Sequence, residues 1–204
     1  MRINKKKFIY LISPNKIYPE FYHDLNQVLR TGKVALFQLR LKKYSFKQKI
    51  VIGKRIQRMC KKNNITFIIN DDPILSKTLN ADGCHLGQKD MSIKNARKII
   101  GKKIIGVTCH NSIKLAKAAI NGKADYIAFG AFFSTNTKKV KYKAAPKIIN
   151  KAKKLTKIPI VAIGGINMSN YKKLLLNNAD LLAISSYVWN NKKYKPYKTI
   201  EKIK

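Results

Sequence analysis

The chain has 204 residues, 45% of them hydrophobic, with 44 Lys and Arg against nine Asp and Glu, for a formal net charge of +35; that length and apolar content fit one globular domain and exclude a disordered chain. The basic opening Met1 to Lys7 is followed by an apolar stretch of only Phe8 to Ile12, too short for a secretory signal, and no later run approaches the roughly 20 apolar residues of a membrane span. Cys60, Cys84 and Cys109 are odd in number and lack Cys-x-x-Cys spacing, which argues against a zinc site or disulfide framework and for reduced thiols in a cytoplasm.

Short apolar runs alternate with amphipathic segments from end to end. The first predicted strand is Phe8 to Ile12 and the second Val34 to Leu39, followed by a helix over Lys47 to Lys62. Thr66 to Ile69 is the third strand and closes on Asn70-Asp71-Asp72; Gly83 to Leu86 is the fourth and closes on Gly87-Gln88-Lys89-Asp90. A helix over Ile93 to Ile100 leads to the fifth strand, Ile104 to Val107, and a helix over Ser112 to Asn121 to the sixth, Tyr126 to Phe129. Helices over Pro146 to Leu155 and Asn170 to Asn177 flank the seventh strand, Ile160 to Ile163, and Leu181 to Ile184 is the eighth. Eight strands with intervening helices predict an α/β, single-domain (β/α)8 TIM barrel spanning 1–204 rather than an open sheet. Ala-Asp recurs before strands four, six and eight, at Ala81-Asp82, Ala124-Asp125 and Ala179-Asp180. These Asp residues fall at the N-terminal strand ends, the face that barrels use for stability, and read as structural. The tail from Tyr187 to Lys204 reads as a docked last helix in preference to a nucleic-acid arm.

Carboxylates are scarce, so each one counts. Asp71, Asp72 and Asp90 all stand just past C-terminal strand ends, where barrels keep their ligand sites, and as a set they suggest a hard cation, Mg²⁺, bridging to a phosphorylated substrate. Singly, each would also serve as a helix N-cap or loop residue. Beyond the second strand, period-two alternation points Gln38, Arg40 and Lys42 the same way, toward the barrel mouth or interior, where cations make sense if they meet a phosphate or diphosphate. After the sixth strand, Ser134-Thr135-Asn136-Thr137-Lys138 offers hydroxyls and an ammonium to an anion. After the seventh and eighth, Gly164-Gly165 and Ser185-Ser186 occupy the loops in which many barrels build a phosphate site. His110 ends the fifth strand as a proton shuttle or a structural hydrogen-bonding group; His85, inside the fourth, reads as a core or supporting histidine, and Cys109 has no partners that would mark a nucleophile. The lysines are spread along the whole chain beside abundant Asn and Ile, which reads as compositional drift. The resulting positive potential should gather small phosphorylated anions without naming a nucleic-acid partner.

Gln38-Leu39-Arg40-Leu41-Lys42, Ile69-Asn70-Asp71-Asp72, His85-Leu86-Gly87-Gln88-Lys89-Asp90, Thr135-Asn136-Thr137-Lys138 and Ala162-Ile163-Gly164-Gly165-Ile166, in this order over roughly residues 8 to 190, resemble the thiamine phosphate synthase family. The resemblance implies a TIM barrel of thiamine biosynthesis. Such a transferase joins 4-amino-2-methyl-5-hydroxymethylpyrimidine diphosphate to a thiazole phosphate, with release of pyrophosphate and formation of thiamine monophosphate. It implies Arg40, Lys42, Asn70 and Lys138 as contacts of the diphosphate with Gln38 beside them, and Asp71 and Asp90 as Mg²⁺ ligands. Thr108 stands in place of a family serine near the pyrimidine, and Thr135, Thr137, Gly165, Ile184 and Ser185 lie on the thiazole phosphate side. Its partners would be small phosphorylated substrates, with neither nucleic acid nor membrane. Two other readings stand beside it: a thiazole tautomerase relative on the same barrel, which has less need of the full diphosphate set, and a basic RNA-binding or structural protein, which would explain the charge but not the ordered strand-end motifs.

Overall fold

The computed structural model describes residues 7–134 and 141–203. Eight parallel strands, β1 (Ile9–Ile12), β2 (Val34–Leu39), β3 (Thr66–Asn70), β4 (Gly83–Leu86), β5 (Ile104–His110), β6 (Tyr126–Phe129), β7 (Ile160–Ile163) and β8 (Leu181–Ile184), close into a barrel in chain order. β1 pairs with β8 to complete the ring. The expected (β/α)8 architecture is therefore borne out, with β3 extended by Asn70 and β5 by Thr108, Cys109 and His110.

Four of the helices begin where a side chain accepts one of their first N–H groups. α1 (Phe21–Arg30) precedes β2, and α2 (Phe46–Lys62) starts at a reciprocal capping box between Ser45 and Gln48. Asp72 caps α3 (Pro73–Thr78), Ser92 caps α4 (Ile93–Ile100) and Ser112 caps α5 (Ile113–Asn121). α6 (Lys147–Lys153) and α7 (Tyr171–Leu175) flank β7. The tail forms two short helices, α8 (Ser186–Trp189) and α9 (Pro196–Glu201), rather than one, with Pro196 starting the second. It is docked: Ile200 and Ile203 are fully buried, and the Lys33 ammonium donates to the carbonyls of Ile200, Glu201 and Ile203.

Strand alternation divides the apolar residues into two cores. Ile9, Leu11, Val34, Phe37, Leu39, Phe67 and Ile69 face the helices, whereas Tyr10, Ile12, Leu36, Ile68, Tyr126, Val161 and Leu181 fill the lumen. Gly106 is required by this filling, because a Cβ there would lie 1.8 Å from the Tyr126 ring.

The three Ala-Asp repeats build one device at the N-terminal end of the barrel. Asp82, Asp125 and Asp180 each donate a backbone N–H to the carbonyl of Phe67, Ile105 or Ile160 and accept that residue's N–H on the carboxylate, at 2.7, 2.8 and 2.6 Å. Arg97 and Lys153 neutralise two of the three. These buried strand-end N–H groups would otherwise be orphaned, so the structural reading of the repeat holds.

Candidate active site

At the C-terminal mouth, β2 alternates as expected: Leu39 and Leu41 are buried among the helices, while Gln38, Arg40 and Lys42 take the other face. The two cations then diverge. The Arg40 guanidinium donates to Asn15 Oδ1 at 2.9 Å in the loop after β1, and Lys42 Nζ lies 3.0 Å from Asp71 Oδ2 beyond β3. A residue that the pattern of charges did not flag holds this corner together. Ser13, only 2% exposed, donates its N–H to the Gln38 carbonyl and accepts the Arg40 N–H on its hydroxyl at 2.9 Å, while its own carbonyl accepts from Ser185 Oγ. Ser13 thus ties β1, β2 and β8 together beneath the site.

Asp71 adopts a left-handed backbone with φ at +63°, a conformation that Asp tolerates, and its N–H donates to the His85 carbonyl at 2.8 Å. This aims its carboxylate at Asp90, with which it shares a hydrogen bond. Asp90 in turn accepts the Gly87 N–H at 2.7 Å. Burial works against the Asp71 carboxylate, but the bond from Asp90 and the Lys42 ammonium outweigh it and hold its pKa below the usual range. Burial and the facing Asp71 push Asp90 up. Two carboxylates this close cannot both ionise freely unless a cation joins them. Lys42, Asn70, Asp71 and Asp90 line one cavity of about 430 Å³. Asp72 lines the same cavity, yet its carboxylate accepts the Leu75 N–H as the cap of α3, which is its role here.

Among the described residues, no group of three or more His, Cys, Asp or Glu is arranged to hold a metal. A pair of carboxylates fits Mg²⁺ nonetheless, because that ion is commonly held by one or two carboxylates together with water and substrate phosphate oxygens.

Inside the lumen, five side chains form one unbroken polar chain. Gln38 Nε2 donates to Tyr10 Oη at 2.6 Å, Tyr10 Oη lies 2.7 Å from Tyr126 Oη, Tyr126 Oη lies 2.9 Å from His85 Nδ1, and His85 Nε2 lies 2.7 Å from Thr108 Oγ1. Burial drives the His85 pKa down to about 4, so the imidazole is neutral, and burial likewise raises both tyrosines. His85 is therefore a supporting residue, as its position within the fourth strand suggests. His110 sits at a left-handed φ of +51° with its ring stacked on Tyr142 at 4.4 Å, and its carbonyl accepts the Gly130 N–H. These contacts give it a part in holding the loop after β6. Burial pushes the Cys109 thiol up to about 12, far from a reactive thiolate.

On the opposite side, Gly164 and Gly165 serve close approach rather than openness alone. A Cβ on Gly164 would lie 2.4 Å from that of Ala131, and one on Gly165 would lie 2.2 Å from the Ser134 carbonyl oxygen, because the loop after β6 packs directly on them. Phe132 and Phe133 donate their N–H groups to the Ile163 and Gly164 carbonyls there. Ser185 lines a second cavity of about 250 Å³ with Asn15, Lys16 and Trp189. The Ile184 side chain is buried in the outer core, so only its backbone is placed to meet a ligand. Thr135, Thr137 and Lys138 lie outside the described residues.

The family described as "Thiamine monophosphate synthase" matches residues 9–188, from β1 into α8. The chain belongs to the thiamine monophosphate synthase family. Relatives named thiamine-phosphate synthase include one from Pelagibacter ubique, 62% identical with 100% of both chains covered. Another, from Rhodospirillum centenum, is 39% identical over 90% of this chain and 89% of its own. Among solved structures, a thiamine phosphate pyrophosphorylase from Pyrococcus furiosus superposes with a TM-score of 0.86 at 29% identity, covering 98% of this chain and 94% of that one. Every strand-end residue described above falls within the span of the family match, and membership identifies the chain as a transferase.

Proposed function

We propose that this protein is a thiamine phosphate synthase, joining 4-amino-2-methyl-5-hydroxymethylpyrimidine diphosphate to a thiazole phosphate to yield thiamine monophosphate and pyrophosphate. The observation that carries the reading within the site is the Lys42, Asp71 and Asp90 cluster, a cation beside two mutually bonded carboxylates in one cavity at the barrel mouth.

In this reading the C–O bond to the diphosphate breaks with its electron pair leaving on pyrophosphate, and the thiazole nitrogen supplies the pair for the new C–N bond. Asp71 and Asp90 would hold Mg²⁺, which when bound neutralises charge on the departing diphosphate. Lys42, Asn70 and Arg40 hold the leaving group's oxygens and stabilise their growing charge through preorganised donors. Lys138 is assigned to the same group from its sequence position. Gln38 and Thr108 hold the pyrimidine ring above the lumen, which buried side chains fill. Gly165, Ser185 and the Ile184 backbone are assigned to the thiazole phosphate, and Thr135 and Thr137 to the same group from their sequence positions. No protein nucleophile is needed, in keeping with a site of cations, amides and hydroxyls. The substrates are small anions, which the chain's +35 charge draws in.

Pyrophosphate release should require both substrates together with Mg²⁺ and should vanish in EDTA and in Asp90→Asn. Release that persists without metal, or without the thiazole phosphate, would refute this assignment.

A further inference from the structure

None of the groups assigned to the thiazole phosphate carries a charge. Gly165, Ser185, Thr135, Thr137 and the Ile184 backbone offer only neutral donors, whereas a phosphate monoester at neutral pH carries a charge of about −1.5 to −2. The Ser185 hydroxyl is moreover engaged, since it donates to the Ser13 carbonyl at 3.2 Å. Taking such an anion out of water without an opposing charge is costly, so this side of the mouth calls for a cation. Lys42 does not supply it, because its ammonium is paired with Asp71.

The cavity beside Ser185 holds one. Its volume is about 250 Å³, and Lys16 is the only charged residue among the described residues that line it. Lys16 stands in the loop between β1 and α1, and the chain is held on both sides of it. Asn15 Oδ1 accepts from the Arg40 guanidinium at 2.9 Å, and the Ile17 N–H donates to Tyr44 Oη at 2.9 Å. The Lys16 side chain itself is exposed and enters no ion pair among the described residues. A fixed backbone thus carries an ammonium on a flexible stem to the rim of the cavity, which suits the capture of a phosphate by a point charge. Asn15 adds a neutral donor to the same lining: a guanidinium only donates, so the amide turns its oxygen to Arg40 and keeps its NH2 as a donor.

We propose that Lys16 binds the phosphate of the thiazole substrate and so selects the phosphate ester over the unphosphorylated thiazole alcohol. The proposal rests on the functional reading above and gives its second substrate the counter-charge that the other assigned residues lack. The thiazole phosphate keeps its phosphate through the whole reaction, so this contact is made alike in the ground state and the transition state, and its loss is read in KM. A local contact also differs from the pull of the overall +35 charge, which acts on both anionic substrates alike.

The test uses Lys16→Met, which keeps the length and apolar stem of the side chain and removes its charge. KM for the thiazole phosphate should rise by about tenfold, the scale of one charge-assisted hydrogen bond, while KM for the pyrimidine diphosphate stays where it is. The ratio of kcat/KM for the thiazole phosphate to that for the thiazole alcohol should fall by the same factor. An equal fall for both thiazoles would mean a merely structural role, and an equal weakening of both phosphorylated substrates would mean that Lys16 acts only through the overall charge; either result would overturn the proposal. Calorimetric titration of thiazole phosphate alone into the wild type and into Lys16→Met keeps this inference apart from the functional reading. Binding about tenfold weaker in the variant, with a wild type that never condenses the two substrates, would refute the synthase reading and support the Lys16 contact. Equal affinities in the two proteins would overturn the contact, whatever the wild type condenses.

Discussion

Replacing Asp71 with Asn should separate the charge of this residue from its backbone role. Asp71 sits at φ +63°, which Asn adopts as readily as Asp, whereas Ala there adds about 1–2 kcal/mol of strain. The ion pair to Lys42 is 3.0 Å long, but the two side chains are 56% and 27% accessible, so its loss removes only about 0.2–1 kcal/mol of stability. For a chain of this size that shifts Tm by about 4 °C or less. The Asn side-chain carbonyl can also still accept from Asp90 where the carboxylate did. The charge, by contrast, is asked to hold Mg²⁺ against the leaving diphosphate, and losing one such preorganised contact typically costs about 10²–10³ in turnover. Calorimetry paired with steady-state pyrophosphate release over a Mg²⁺ titration reads both quantities on one preparation. We expect Asp71→Asn to melt within a few degrees of wild type with turnover down by about two to three orders of magnitude, and Asp71→Ala to lose the same activity with a further drop in Tm. Wild-type turnover in the Asn variant would refute the metal assignment. A collapsed melting transition in it would show that Asp71 serves the fold.

Ser13→Ala removes a buried hydroxyl that accepts the Arg40 N–H, leaving that donor unsatisfied at a cost of about 1–3 kcal/mol; thermal melting should register the loss, and KM for the diphosphate substrate should rise as Arg40 shifts. Lys42→Ala should raise KM for the pyrimidine diphosphate and leave that for the thiazole phosphate unchanged, and the reverse pattern would mean that the two halves of the mouth are wrongly divided. Apparent Mg²⁺ affinity should weaken as pH falls. Asp90 must lose its proton to bind metal, and its pKa is raised, so the weakening begins at a higher pH than an ordinary carboxylate would give; Asp90→Asn should abolish that dependence along with tight binding, as followed by calorimetric titration.

The barrel was legible because short apolar runs alternate with amphipathic segments from end to end, a pattern local to each element. The Ala-Asp repeats and the alternation of Gln38, Arg40 and Lys42 were legible for the same reason. What stayed hidden depends on contacts remote in the chain. Nothing local says that the hydroxyls of Tyr10 and Tyr126, 116 residues apart, will meet at 2.7 Å. Ser13 reads as an ordinary turn residue before Pro14, and its bonds to β2 and β8 exist only once the ring closes. Gly164 and Gly165 signal backbone freedom in the sequence, whereas their tight packing against Ala131 and Ser134 belongs to the tertiary structure. The divergence of Arg40 toward Asn15 and Lys42 toward Asp71 likewise follows from which loop each neighbouring strand presents.

The most direct measurement is to mix the purified protein with 4-amino-2-methyl-5-hydroxymethylpyrimidine diphosphate, thiazole phosphate and Mg²⁺, and to follow products by mass. The account predicts thiamine monophosphate and pyrophosphate in equal amounts, both lost with EDTA; a folded protein that only rearranges the thiazole phosphate, with no condensation product, would contradict it.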